Sequence, residues 1–348
     1  MGRRLRLHSA IAGLLFSLGC FALVLRQVDL RESWNALGRL NGPFILIPVA
    51  ILFLNLPLRA WRWQLIFPAS SRPAFASCLT VLGIGNMANF LLPGRAGDLA
   101  RCLLLNESTT IHDSSRILAT LAVEKLLDGF ALIGMILLAV WFLHPPSWVF
   151  ALLRIATLIF GGAMILIAIL RYQTRRLIDY LRSGFRRVRL SAVEATFDGA
   201  LTSFADGLAA IGSLSQILSL LLLTAMIWSV EATLIWGLAR SLGLAISIKS
   251  TVVASAVLGL GLMIPAAPGG LGTYELLGTE AFKLTGIAAS VGLAVTLGVH
   301  AWVFASNIAV GICLLAVKGG SLAQLRHRLA VNADPESPAQ PSSNPATW

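Results

Sequence analysis

The stretch LGIGNMANFLLPGRAG, residues 82–97, is apolar enough for a membrane and too broken for one continuous span. A second stretch, LGLGLMIPAAPGGLG at residues 258–272, repeats its plan. Both read LGxGxM followed by PGxxG, with spacings that differ by one residue. Gly and Pro in a helix interior cost about 1 and 3 kcal/mol relative to Ala, so each stretch is expected to turn back rather than cross. Non-helical backbone at membrane depth survives only against protein or a wet cavity. A kink or a tight helix crossing is the plainer reading of each PGxxG.

Outward from these two stretches the chain is overwhelmingly apolar. Of 348 residues 57% are hydrophobic and 12% charged, with a mean hydropathy of +0.80. Soluble domains carry about 25% charged residues, so soluble, collagen-like and disordered classes are excluded. Apolar runs near 9–25, 43–63, 117–143, 148–170, 215–239 and 288–317 are predicted to span. The broken segments occupy about 74–105 and 251–284. The expected fold is an all-α polytopic membrane helix bundle of about six full spans plus two re-entrant hairpins.

The charge balance sets an expected sidedness. Lys and Arg number 27 against 16 acids, a formal charge of +11, and the Arg residues gather where apolar runs end. That pattern fits cytoplasmic loops facing anionic lipid rather than nucleic-acid binding. Arg3, Arg4 and Arg6 put the N-terminus inside, before an uncleaved signal anchor. Arg59, Arg62, Arg72, the basic 171–189, and Lys318, Arg326 and Arg328 follow inside, with His144-Pro145-Pro146 outside. The count closes if each broken segment enters and leaves on one side, the first from the cytoplasm and the second from the periplasm. The halves, about 8–143 and 148–317, then form an inverted repeat, and such repeats place a substrate site where they meet.

Within 171–213, Arg171, Arg175, Arg182, Arg186 and Arg189 fall within about 60° on a helical wheel. An amphipathic helix lying on the inner leaflet is expected there; a plain basic loop explains the charge without the stripe. Residues 1–320 make one transmembrane domain and 321–348 a disordered tail. Cys20, Cys78, Cys102 and Cys313 are scattered, and buried free thiols are expected.

Charges inside the apolar runs mark the candidate site. Arg95, Asp98 and Arg101 flank the first turn, while Glu124, Lys125 and Asp128 sit mid-span. At about 2.5–3.5 kcal/mol each at a bilayer centre, they should face the interior and pair, Arg95 or Arg101 with Glu124 or Asp128. Pairing of this kind serves structure, substrate contact or both. Glu231, Glu275 and His300 are the sparser counterparts in the second half. Half-helices starting at Gly97 or Gly272 would offer free N–H groups to an anion. No catalytic motif, Walker loop or metal-ligand spacing is present in the sequence. A transporter is therefore expected rather than an enzyme, with no metal or cofactor.

Together, Pro93-Gly94-Arg95-Ala96-Gly97-Asp98 with Arg101, Glu124 to Asp128, and Pro268-Gly269-Gly270-Leu271-Gly272 with Glu275 resemble the lysylphosphatidylglycerol synthase transmembrane-region family. The resemblance covers roughly residues 8–320. It implies a region that flips a lipid between leaflets of the inner membrane, with both termini cytoplasmic. Asp98 stands where members often have Glu, and His300 where Arg is expected. The expected partner is a membrane lipid, anionic or polyprenyl-phosphate-linked, whose phosphate meets Arg95 and Arg101. Two alternatives stand beside it: a membrane subunit assisting a separately encoded glycosyl- or lipid-modifying transferase, and an embedded lipid-phosphate glycosyltransferase.

Overall fold

A computed structural model describes residues 15–16, 18–37, 42–92, 95–108, 113–142, 146–173, 202–207, 213–263 and 268–319. Residues 18–25 are helical. Ten longer elements follow: α1 (Leu30–Leu37), α2 (Gly42–Ile66), α3 (Phe75–Leu91), α4 (Ala96–Ser108), α5 (Ser114–Phe142), α6 (Ser147–Tyr172), α7 (Leu214–Ser241), α8 (Ile248–Met263), α9 (Thr273–Lys283) and α10 (Ala289–Val317). No strand occurs among the described residues. Pro93 and Gly94 of the first turn, Arg175, Arg182, Arg186 and Arg189 of the basic stripe, and the 321–348 tail lie outside the described residues, as does the side chain of Arg171.

The five later spans expected from sequence appear as helices with ends shifted by a few residues. Their composition is less uniform than expected. Among the described residues, three helices are apolar and long enough to cross a membrane by length and composition: Ser147–Leu170 within α6, then α7 and α10. The 29-residue α5 carries Glu124, Lys125 and Asp128 at its middle. Many large apolar side chains of α6, among them Leu158, Ile159 and Ile165, are exposed, as a lipid-facing helix requires.

The two halves interlock rather than stand side by side. The α2 and α7 helices run antiparallel: Gln216 Nε2 donates to the Leu65 carbonyl at 2.7 Å, and Ile47 packs where Gly237 lacks a side chain. The first half's α3 lies along the second half's α10, with Phe90 and Phe304 edge to face at 5.6 Å and Met87 against Gly311. In the same relation α8 lies along α5, with Leu132 against Gly259. Each half therefore lends its first broken helix to the other.

The repeated LGxGxM has a physical meaning in this arrangement. Gly83 and Gly259, the first glycines of each copy, admit the other half: Leu314 at Gly83, and Leu132 at Gly259 beside Trp228 of its own half. Gly85 and Gly261, the second glycines, admit the same hairpin's returning helix: the Gly97 carbonyl and Arg101 methylenes at Gly85, Leu277 at Gly261. One face of each helix meets a neighbour two residues away from the other, and neither can carry a Cβ without movement.

Apolar packing sits in separate clusters on either side of the middle. Trp63, Ile66, Phe67, Cys78, Leu105 and Ile117 form one at the first hairpin. Ile235, Val257, Tyr274, Phe282 and Val299 belong to another around the second. Cys20, Cys78 and Cys102 are buried and unpaired as expected, whereas Cys313 is exposed on α10. The α1 helix, capped by Asp29 Oδ1 accepting from the Arg31 amide at 2.8 Å, is pinned to α10 by Ser33 Oγ donating to the Ser290 carbonyl at 2.9 Å.

Candidate functional site

The site starts on α2. Asn55, Arg59 and Arg62 recur at helical spacing on one face, and that face turns inward. Arg59 and Arg62, counted from sequence among the cytoplasmic-side charges at the end of the 43–63 span, lie within α2, and Arg62 is completely buried. Sidedness at that corner therefore rests on Arg72 alone. Arg62 holds Asp128 through both carboxylate oxygens, at 2.7 and 3.1 Å. Thr224 accepts from Arg62 at 3.1 Å, and the Trp228 indole donates to Asp128 at 3.3 Å. Buried charge survives only when paired and hydrogen-bonded, and this pair is both.

A second pair ties the first hairpin to α5. Arg101 donates to Glu124 at 3.1 and 2.6 Å, with its guanidinium 4.1 Å from the centre of the Trp63 ring. Glu124 and Asp128 thus take different arginines: Arg101 from the hairpin, Arg62 from α2. The expected partnership of Arg95 with either carboxylate gives way to a nearer one, since Arg95 Nε donates to Asp98 at 3.2 Å. Arg101, expected at the phosphate, is 1% exposed, with both terminal nitrogens engaged by Glu124, so it braces the hairpin.

Between the halves lies a polar cavity of about 200 Å³, lined by Asn55, Arg59, Asn86, Asn89, Arg95, Glu124, Lys125 and Glu231 from α2, α3, α5, α7 and the first turn, and by Pro268, Gly269 and Gly270 from the second turn. A further pocket of about 150 Å³ shares Arg59, Arg95, Lys125 and Glu231 and reaches Asp128 and Tyr274. Arg59 donates to Glu231 at 2.9 Å and Asn55 to the same oxygen at 2.8 Å. Lys125 Nζ stands 3.6 Å from Glu124. Both PGxxG turns therefore converge on one chamber, the first with charge and the second with backbone.

Arg95 is held there by an unusual backbone. Among the described residues it is the one non-glycine with positive φ, at 56°, a conformation that costs an L-residue roughly 1–2 kcal/mol. Its counterpart in the second PGxxG, Gly270, has φ 77°. Positive φ is shared at this one position of the turn, and only in the first half is a guanidinium mounted on it.

The glycine expectations divide. Gly97 is a close crossing: a Cβ there would run into the Gly85 carbonyl and Asn89, which matches the tight-crossing reading. Gly272 does precede a half-helix, α9, but its N–H already donates to Glu275 Oε2 at 2.6 Å. Glu275 thereby fills the place expected for an anion. Its other oxygen meets His300 Nδ1 at 2.5 Å, and His300 Nε2 lies 2.9 Å from the Gly269 carbonyl. Tyr274 and His300 rings pack at 4.5 Å. The second half is thus cross-braced through Glu275 and His300, while Glu231 belongs to the cavity. Neither Gly97, Asp98, Gly272 nor Glu275 lines the chamber.

Sequence reasoning missed Arg59, Arg62 and the carboxamides Asn55, Asn86 and Asn89. The signal was available in the i, i+4, i+7 spacing of Asn55, Arg59 and Arg62 within an apolar run, which puts all three on one helical face.

A family model for the lysylphosphatidylglycerol synthase TM region matches residues 10–311. Among curated proteins, the glycosyltransferase AglD of Haloferax volcanii is 29% identical over 126 residues, 36% of this chain and 20% of that protein. The similarity thus spans about a fifth of the relative's length. No solved structure matches the chain.

Proposed function

The chain belongs to the lysylphosphatidylglycerol synthase transmembrane-region family and is a membrane protein, and from that premise we propose that it translocates a phosphate-bearing lipid or glycolipid between leaflets. One observation carries the reading: a polar chamber inside an apolar bundle, lined by Arg59, Arg95 and Lys125, where the two broken hairpins converge. Cationic side chains at membrane depth are costly and mark pathways, and Arg binds phosphate through a planar fork. The head group enters this chamber while its tails stay in the bilayer. Arg95 meets the phosphate, since Asp98 engages only its Nε and no other described residue takes the rest of the fork. The interlocked hairpins part in turn to open either side. In the same reading the protein sits in the cell membrane with both termini cytoplasmic and its halves inverted, on the strength of the basic clusters at each end.

Purified protein in liposomes should accelerate leaflet exchange of an anionic or polyprenyl-phosphate lipid. Arg95→Lys should lower the rate, and Gly97→Leu should abolish it by forcing the hairpin apart. Single-cysteine labelling from each side tests the orientation, with 106–114 and 171–189 accessible from the cytoplasm and 240–249 from the periplasm. Similarity to part of a glycosyltransferase favours one second reading, a membrane subunit serving a separately encoded transferase. Absence of exchange for every lipid tested, with or without an ion gradient, would move the assignment there.

A further inference from the structure

We propose that the head group accepted by this chamber is a phosphodiester bearing a polyol, such as a sugar or an inositol ring, and not an aminoacylated head; the inference rests on the lipid-passage reading and specifies its substrate. Three observations converge on it.

The first is charge. Lining the chamber, Arg59, Arg95 and Lys125 face Glu124 and Glu231, one positive charge in excess. The whole embedded cluster gives the same result, with Arg59, Arg62, Arg95, Arg101 and Lys125 against Asp98, Glu124, Asp128 and Glu231. A phosphodiester brings one negative charge and balances it. A phosphomonoester brings about 1.5 to 2 at neutral pH and overshoots. An aminoacyl head with a lysyl-type double cation adds positive charge to a site already in surplus, which a low-dielectric interior punishes.

The second is the set of hydrogen bonds left unmade. The Asn89 amide nitrogen donates to Asp98 at 3.3 Å, which fixes the carboxamide's orientation and leaves its buried Oδ1 without a partner among the described residues. Both bonds to Glu231, a chamber-lining residue, fall on Oε1, from Asn55 and Arg59, and none among the described residues falls on Oε2. Asn86 lines the chamber, and its side chain makes no hydrogen bond among the described residues. A phosphodiester offers only acceptors and cannot satisfy Asn89 or Glu231. Hydroxyl groups can, because each both donates and accepts. Ammonium groups also donate, but the charge surplus opposes them.

The third is room. At roughly 10–15 Å³ for each water held, the chamber's 200 Å³ exceeds a bare phosphate several times over. The space behind it extends past Arg95 and Lys125 toward Tyr274.

The full chain, purified into phosphatidylcholine nanodiscs, is titrated with phosphatidylinositol, phosphatidate and lysyl-phosphatidylglycerol, with thermal stabilisation as the readout. Phosphatidylinositol should bind at least tenfold more tightly than either of the others. Asn86→Leu, similar in size and removing no existing bond, should cut that preference about fivefold while melting unchanged in the absence of added lipid. Equal or tighter binding of lysyl-phosphatidylglycerol, a preference for phosphatidate, or no binding of any of the three would overturn the proposal. The same three lipids are then scored for leaflet exchange. Selective binding without exchange would overturn lipid passage and leave the head-group class standing. Exchange without selectivity would do the reverse.

Discussion

The two hairpins carry the same PGxxG pattern and put it to different uses. In the first, Arg95, Asp98 and Arg101 are mounted on the PGxxG frame, and Arg101 is anchored by Glu124 of α5. In the second, Gly269, Gly270 and Gly272 all take positive φ, and Glu275 folds back onto its own helix start while meeting His300 of α10. Both hairpins are braced to the long helix that follows, with the polarity reversed: cation on the hairpin in one, carboxylate on the hairpin in the other. The two PGxxG segments thus present a charged wall and a backbone wall to a single chamber.

The same chemical change made in both halves should break this comparison most visibly. Glu124→Gln leaves the Arg101 guanidinium buried without its counter-charge, and stranding one partner of a buried pair costs about 3–5 kcal/mol. Glu275→Gln keeps an acceptor for the Gly272 amide and a polar group for His300, so a loss of about 1 kcal/mol is expected, the scale of a weakened cap. Thermal melts in detergent would report both; equal losses would show that the second brace is as electrostatic as the first. Asp128→Asn should resemble Glu124→Gln, because it strands Arg62.

Crossing distance gives the next largest effect. Gly97→Ala forces backbone against the Gly85 carbonyl, whereas Gly261→Ala meets only the movable end of Leu277. Overpacking costs of about 1–3 kcal/mol are expected at the first and about 1 kcal/mol or less at the second. Melting measurements on the two alanine variants would rank them, and a reversed order would mean the second hairpin is the more rigid.

The smallest effect on stability should accompany a large one on transport. Arg95→Gly relieves a left-handed conformation while giving up a half-exposed contact with Asp98, so stability should move by no more than about 1 kcal/mol. Leaflet exchange of anionic lipid should fall at least tenfold. A variant that melts normally and exchanges normally would remove Arg95 from the head-group path and leave Lys125 and Arg59 to carry the chamber's charge.

Much of this was legible from the residues, and the failures share one cause. The helices of 43–63, 148–170 and 215–239 were found within a few residues of α2, α6 and α7 because apolar run length is a local property. The pairing of LGxGxM copies was visible because close approach needs glycine wherever it occurs. Pairing of Glu124 with a hairpin arginine followed from the cost of buried charge. Which arginine takes Asp128 did not, because α2 and α5 meet only in the folded bundle. Arg59 and Arg62 were counted only for sidedness, because counting positive charge ignores the helical face it occupies. The free N–H groups expected at Gly272 were absent for a similar reason: Glu275, three residues on, reaches back to them, a capping pattern that sequence spacing permits without requiring.

The exchange of first broken helices between halves has a consequence for how the chain is made. The α3 helix finds its long neighbour only when α10, the last described helix, has been synthesised. Until then its glycine face lies open, and contacts so distant in sequence form late. A chain cut short before α10 would therefore present an unsealed groove to the membrane, a signature that quality-control proteases read, and separately expressed halves should rebuild a stable protein only when inserted together.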